Sequence, residues 1–480
     1  MSKFETGGTN NLQYMDSLEE KRKAINSVSP SFCSAKWLQT TLYLQTGYNH
    51  SCHHPSPHKI PEAEVKANPA ALHNSKFKKE QRAKMLKGER PQECSYCWNI
   101  EDLGKDYYSD RQTKTSDYWA WDRFEEIANS DPNADMFPSY LEVSFSNNCN
   151  FACAYCSPDV SSQWMADIKK NGPYPVEFGS HDLNHLRERE QYPYAHDEYN
   201  PYVEAYNKWL PEVLPHLKVF RFTGGEPTMS KEFWKTLDYI RENPRKDLEI
   251  SVNTNMGVKP ELIDKLIEYG SEFDTTCKEF VIFTSNESHG AQAEYARDGL
   301  DYEYWMKNLK KVLDNTELRI CIMTTINILS LPNFTKFLQD IIDLRQQYNR
   351  DGYANRVMVS FNYMRFPPHL QVTLLDKPTR EKYADEIEEY AMRFHRDFSP
   401  TKEARFLLEE IDQIKRFCDY MRTDQTSGPK YRNNFVQFIT AYDERRNKNF
   451  TETFPELLSF WEMCKEEAET LGLIPVKQIE

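Results

Sequence analysis

Six stretches in the middle of the chain read as strands, the first by period-two alternation, and helical periodicity follows four of them. Ser139 to Phe145 predicts the first strand and Lys218 to Thr223 the second, with helical spacing after it at Phe233, Leu237 and Ile240. Leu248 to Thr254 predicts the third, and Pro260 opens a helix carrying Leu262, Leu266 and Ile267. Phe280 to Thr284 is the fourth, before a helix near Tyr302 to Leu313. Leu318 to Ile328 is the fifth, before Phe334 to Leu344, and Val357 to Tyr363 is the sixth. Six strand–helix units in one run imply an α/β fold with a parallel sheet, open or curled into a partial barrel. Such sheets hold ligands at the carboxyl ends of their strands. From Lys377 onward the pattern is helical. Tyr383, Ile387, Tyr390, Ala391 and Phe394 share one face; Phe406, Leu407, Ile411, Ile414, Cys418 and Met421 share another. Residues 158–216, rich in Tyr, Pro and His, are too long for an ordinary loop and are expected to hold helices or a substrate lid.

Composition narrows the class of protein. The 480 residues carry a net charge of −14, which argues against a nucleic-acid backbone as the main partner. Aromatic residues make up 13%, too many for a disordered chain, and no apolar run approaches a membrane span. Met1 to Gly8 shows no apolar segment of a secretory signal, so a cytoplasmic protein without membrane association is expected. In that compartment thiols stay reduced, and clustered cysteines serve as metal ligands or catalytic groups. Seven of the 11 cysteines fall in two groups before residue 160. Cys321 and Cys418 fit buried apolar positions.

Cys149, Cys153 and Cys156 follow the first strand directly, as C-x3-C-x2-C. Three soft thiolates on one loop suit three irons of a four-iron cubane and leave the fourth iron open. The alternative is zinc, which as a structural ion takes four ligands, usually in two closely spaced C-x2-C knuckles. The second strand ends in Thr223-Gly224-Gly225-Glu226-Pro227. Two glycines let the backbone approach a ligand, Glu226 can accept from an ammonium, and Pro227 fixes the turn. Together, in this order, these motifs resemble the radical S-adenosylmethionine (radical SAM) enzymes over about residues 136–370. The resemblance implies a partial (βα)6 TIM-like barrel. It implies that Cys149, Cys153 and Cys156 bind a catalytic [4Fe–4S] cluster, with Tyr155 the motif's aromatic residue. It implies that Gly224, Gly225, Glu226 and Pro227 bind the amino group of SAM. Thr254 and Asn255 resemble a turn common in the family. Ser285 stands where the family often contacts the SAM ribose or carboxylate, and Arg297 is matched to a carboxylate contact. For Asn255 and Ser285 the alternative is helix capping, and for Arg297 a surface ion pair. The implied reaction is reductive cleavage of SAM to methionine and a 5′-deoxyadenosyl radical, which abstracts hydrogen from a substrate.

Cys33 and Cys52 flank Gly47 as C-x13-G-x4-C, and Cys94-x2-Cys97 follows a basic stretch. These resemble the auxiliary-cluster modules called SPASM and twitch domains, here ahead of the barrel, as in one group of radical SAM proteins. The approach to Cys94 from Lys84, and the segments Tyr442 to Phe450 and Phe454 to Leu457, also look similar to that group. An auxiliary [4Fe–4S] cluster on Cys33, Cys52, Cys94 and Cys97 is expected, with zinc as the alternative, since Cys52-His53-His54 offers imidazoles. The expected organisation is an auxiliary-cluster domain at 1–135, the radical SAM barrel at 136–375 and a helical region at 376–480. The expected substrate is a peptide or a sugar-type small molecule, and the expected electron source is an external reductant such as flavodoxin or ferredoxin. The alternative is a non-catalytic iron–sulfur or zinc protein that uses the fold for binding or electron transfer.

Overall fold

A computed structural model describes residues 10–473 except 105, 106, 196, 350–355, 396, 398, 400, 425 and 426. Met1 to Gly8, from which a signal segment was judged, and residues 474–480 of the helical tail therefore lie outside the described residues. The strands in chain order are β1 (Gln39–Tyr43), β2 (Tyr48–His50), β3 (His58–Lys59), β4 (Tyr140–Ser144), β5 (Ala152–Cys153) and β6 (Val219–Thr223). They continue with β7 (Glu249–Asn253), β8 (Glu279–Ser285), β9 (Arg297–Asp298), β10 (Arg319–Met323) and β11 (Val357–Ser360). All six strands expected from the alternation are formed, as β4, β6, β7, β8, β10 and β11, and the fold is α/β with a helical C-terminal part. The chain divides into two compact units: residues 1–147, 190–252 and 273–279, and residues 148–189, 253–272 and 280–480.

In the first unit β7, β6, β4 and β1 pair in parallel, in that order, and β2 and β3 continue antiparallel from β1. The β1–β3 strands were not among the expected elements. Gln39-Thr-Thr-Leu-Tyr43 has polar side chains on both faces and so lacks a period-two signal. It becomes a strand because Gln39 to Tyr43 align residue for residue with Tyr140 to Ser144. At Gly47, φ is +70°, and a Cβ would fall 2.1 Å from the Tyr202 ring. Glycine is required there both by the turn and by the aromatic packed on it. The long insertion holds helices at Ser162–Asn171, Leu183–Glu188 and Pro201–Val213. The last begins at Pro201 and is capped by Asn200, whose side chain accepts from the amides of Tyr202 and Val203.

In the second unit β8, β10 and β11 pair in parallel, and β5 pairs antiparallel with β9. The helices Tyr302–Asn315 and Phe334–Tyr348 follow β8 and β10. The tail adds Lys377–Arg393, Leu408–Arg422, Pro429–Arg446 and Leu458–Thr470. Ile387, Ala391, Ile411, Ile414 and Cys418 are buried on them, as the helical spacing requires, and Cys321 is buried on β10. Among the described residues no helix is long and apolar enough to cross a membrane.

Candidate functional site

The three-cysteine loop lies in the second unit, immediately after β4. Its shape is set by short bonds to its own backbone and sulfurs. The Cys149 amide donates to Ser162 Oγ at 3.1 Å, and Ser162 Oγ donates back to the Cys149 carbonyl at 3.0 Å. Ser161 Oγ donates to the Phe151 carbonyl at 2.8 Å, and Trp164 Nε1 to the Cys153 carbonyl at 2.8 Å. The β5–β9 pairing sets Cys153 opposite Arg297 and Ala152 opposite Asp298. Beneath the loop is a buried trio. Arg297 is ion-paired to Glu287 at 2.6 Å, with side chains 6% and 1% exposed, and Tyr155 Oη donates to the other Glu287 oxygen at 2.7 Å. Arg297 also donates to Cys153 Sγ at 3.8 Å, and its guanidinium lies 5.4 Å from the Tyr155 ring centroid. Arg297 is therefore a buried residue, not a surface ion pair.

Asn255 belongs to the same cluster. Its Oδ1 accepts from the Gly257 amide at 2.8 Å, while its Nδ2 donates to Asn150 Oδ1 at 2.8 Å and to Cys149 Sγ at 3.9 Å. Thr254 closes the preceding turn by accepting from the Met256 amide at 3.2 Å. Ser285 is the last residue of β8, level with Met323 of β10. Burial pushes the Cys153 and Cys156 thiols above their usual range, and Cys156 is raised further by the neighbouring Cys153 and Cys149 sulfurs. Three thiols that influence one another in a buried loop, two of them with N–H donors aimed at sulfur, suit a thiolate-ligated group: metal binding displaces their protons, and the donors spread the negative charge.

Gly224 to Pro227 lie in the first unit, at the end of β6. Gly224 has φ +114°, and a Cβ there would fall 2.4 Å from Ser144 Oγ and 3.2 Å from the Ser146 carbonyl. The Gly225 amide donates to that carbonyl at 3.3 Å. Glu226 is 1% exposed, and its Oε1 accepts from the Thr228 amide and hydroxyl at 3.2 and 2.7 Å. Pro227 opens a single 3-10 turn.

Cys33, Cys52, Cys94 and Cys97 converge on one small cavity of the first unit, of about 20 Å³, lined also by Lys36, Arg111 and Lys114. Burial, together with the neighbouring Cys33 and Cys52 sulfurs, raises the Cys94 and Cys97 thiols to about 12. Lys36 is buried and ion-paired to Glu93. His54, on the cavity wall, meets Asp110 at 2.8 Å and stacks on Tyr96. Four thiols with Lys36, Arg111 and Lys114 around them suit a soft, anionic iron–sulfur group, while His54 and Asp110 on the same wall suit zinc. Among the described residues, no three Cys, His, Asp or Glu side chains are drawn close enough together to hold a metal ion.

Residues 143–345 match the model of the Radical SAM superfamily. This part of the chain is a radical SAM domain. It contains the Cys149–Cys156 loop, the Gly224–Pro227 turn, Thr254, Asn255, Ser285, Glu287 and Arg297. The four N-terminal cysteines lie outside it. Among solved structures, Streptococcus suis SuiB bound to S-adenosylmethionine matches at 13% identity and a TM-score of 0.33, over 70% of this chain and 65% of that one. SuiB bound to the precursor peptide SuiA matches at 13% identity and 0.31, over the same shares. SuiB alone matches at 13% and 0.32, over 70% and 64%. The chain thus spans just under two thirds of the SuiB length. No curated protein matches it.

Glu287 is the site residue that sequence reading missed. It lies two positions past β8 in a stretch without periodicity, and only its reach to Tyr155 and Arg297 reveals it.

Proposed function

We propose that the protein is a radical SAM enzyme that uses a [4Fe–4S] cluster to cleave SAM reductively and abstract hydrogen from a peptide or sugar-type substrate, with an auxiliary cluster in the N-terminal cavity. The observation that carries this reading is the radical SAM domain itself, with a three-cysteine loop in which Cys149 is buried and Cys153 and Cys156 half-buried, and a Gly224 turn that a side chain would fill. In this reading Cys149, Cys153 and Cys156 hold the catalytic cluster. Arg297, fixed by Glu287 and Tyr155, keeps Cys153 in place and donates to its sulfur, and Asn255 does the same for Cys149. Gly224 to Pro227 receive the SAM amino group, and Thr254 and Ser285 keep the cofactor roles that the family resemblance implies. With SAM and cluster bound, one electron from a flavodoxin- or ferredoxin-type reductant yields methionine and a 5′-deoxyadenosyl radical. The protein orients the substrate and excludes water. Cys33, Cys52, Cys94 and Cys97 hold the auxiliary cluster, and Lys36, Arg111 and Lys114 offset its charge.

The test is oxygen-free reconstitution with iron and sulfide, followed by reduction and addition of SAM. Roughly eight irons per chain and 5′-deoxyadenosine are expected. Roughly four irons with retained zinc make the N-terminal site a zinc site. SAM cleavage that survives replacement of Cys149, Cys153 and Cys156 by Ala overturns this reading, and its absence from cluster-replete protein leaves the non-catalytic binding or electron-transfer reading in its place.

A further inference from the structure

The parallel strands of the first unit carry two unlike rungs next to each other. Leu42, Val143, Phe222 and Val252 align across β1, β4, β6 and β7, and all four are fully buried. One residue earlier on each strand, Thr41, Glu142, Arg221 and Ser251 align in the same way and point to the opposite face. Parallel sheets are ordinarily apolar on both faces, and a packed barrel interior is filled with branched aliphatic side chains. Packing alone does not account for a rung of Thr, Glu, Arg and Ser.

Hydrogen bonding leaves part of this rung unsatisfied. Glu142 is 9% exposed. Its Oε1 accepts from Thr223 Oγ1 at 3.2 Å, whereas its Oε2 is buried with no hydrogen-bond partner among the described residues. Thr41 Oγ1, directly alongside on β1, is also buried and unpartnered among them, and so is Gln39 Oε1 two residues earlier on the same strand. Arg221 is engaged by the Tyr140 hydroxyl. Buried polar atoms are almost always paired, so an unpaired carboxylate oxygen beside two further oxygens calls for a donor from outside the chain. Burial raises the Glu142 carboxyl, while the charges of Arg221 and Lys114 oppose the rise.

We propose that Glu142, with Thr41 beside it, anchors a cationic nitrogen of the substrate: a protonated amine or a guanidinium, as a lysine or arginine side chain supplies. The proposal rests on the function put forward above and names its substrate class. The anchor is well placed for it. Glu142 and Ser144 share a face two residues apart, about 6.6 Å along the strand. Ser144 Oγ lies against Gly224, and Thr223, which donates to Glu142, directly precedes Gly224. A nitrogen held at Glu142 sits two residues along the sheet from Thr223, at the start of the turn assigned to SAM, within the same compact unit.

The test titrates reconstituted, SAM-saturated protein with capped tripeptides, acetyl-Gly-X-Gly-amide, where X is lysine, arginine, norleucine or glutamate. Binding is followed calorimetrically. Lysine or arginine should bind about ten- to hundredfold more tightly than norleucine, and Glu142→Gln should bring them to the norleucine level. Thr41→Val should weaken the same peptides by a smaller factor. Lysine ahead of arginine identifies an amine, and the reverse a guanidinium. Equal binding of lysine and norleucine, preference for glutamate, no binding of any peptide, or a cation preference that survives Glu142→Gln overturns the proposal. Should Glu142→Gln fail to fold, the wild-type ranking and Thr41→Val decide. Production of 5′-deoxyadenosine by the wild type is measured separately. Its absence overturns the radical SAM reading, whereas its presence without the ranking overturns only the anchor.

Discussion

Arg297 shows how much one buried side chain can carry. It bonds Glu287, lies beside the Tyr155 ring and donates to Cys153 Sγ. Removing one partner of such a pair strands the other charge in the interior. Arg297→Gln should therefore cost about 3–5 kcal/mol in urea unfolding, and the Glu287→Gln, Arg297→Gln double variant distinctly less than the sum of the two single changes. A double-variant cost equal to the sum of the two single costs would show that the pair does not act as one. Gly224 is constrained differently. Gly224→Ala introduces a Cβ 2.4 Å from Ser144 Oγ at φ +114°, which costs about 1–3 kcal/mol in backbone strain alone. SAM binding by equilibrium dialysis should fall in Gly224→Ala, and Ser144→Gly should not restore it, because the clash is relieved but the strain is not. The sequence pointed to Arg297 and Gly224 by motif position. It did not reveal that Arg297 is committed to a thiol and a glutamate, because Glu287 lies ten residues away with no pattern linking them.

At the scale of elements, periodicity served well wherever a strand or helix buries one apolar face. The six βα strands and the tail helices are of this kind. It failed at Gln39–Tyr43, where pairing to β4 makes a strand of a mostly polar segment. One short element also contributes to pH dependence, alongside His50, His53, His58, His73 and His181, whose pKa values burial lowers as well. His369, in the 3-10 turn Pro368–Leu370, is fully buried 4.8 Å from the Phe438 ring, and both ring nitrogens lack partners among the described residues. Burial lowers its pKa from 6.5 to about 3. Between those values the unfolded chain binds a proton that the folded one does not, so stability falls as the pH drops below about 6.5. By pH 5 the loss is about 2 kcal/mol from this residue. Thermal unfolding of His369→Phe should show a correspondingly shallower decline between pH 7 and pH 5. An unchanged slope would mean that His369 is not the group responsible.

For the whole molecule, a group held by the four N-terminal thiols would tie cofactor content to stability. Residues 33, 52, 94 and 97 come from separate segments around one cavity, so a group bound there links those segments. Replacing Cys94 and Cys97 with Ser should lower iron from roughly eight to roughly four per chain. It should also abolish the Tm difference that chelation of the N-terminal site produces in the wild type. Retention of all the iron would place the second group elsewhere. The sequence by itself determined the alternation of strand and helix, the helical tail and the two cysteine groups, because periodicity and ligand spacing are local properties. It also carried the radical SAM motifs. Only the tertiary structure decided that Glu287 and Tyr155 fix Arg297 beneath Cys153, that four distant cysteines share a cavity, and that Thr41, Glu142, Arg221 and Ser251 form one rung. Those relations join residues between ten and more than two hundred positions apart. They arise from strand register and the burial of charge, which a linear pattern does not encode.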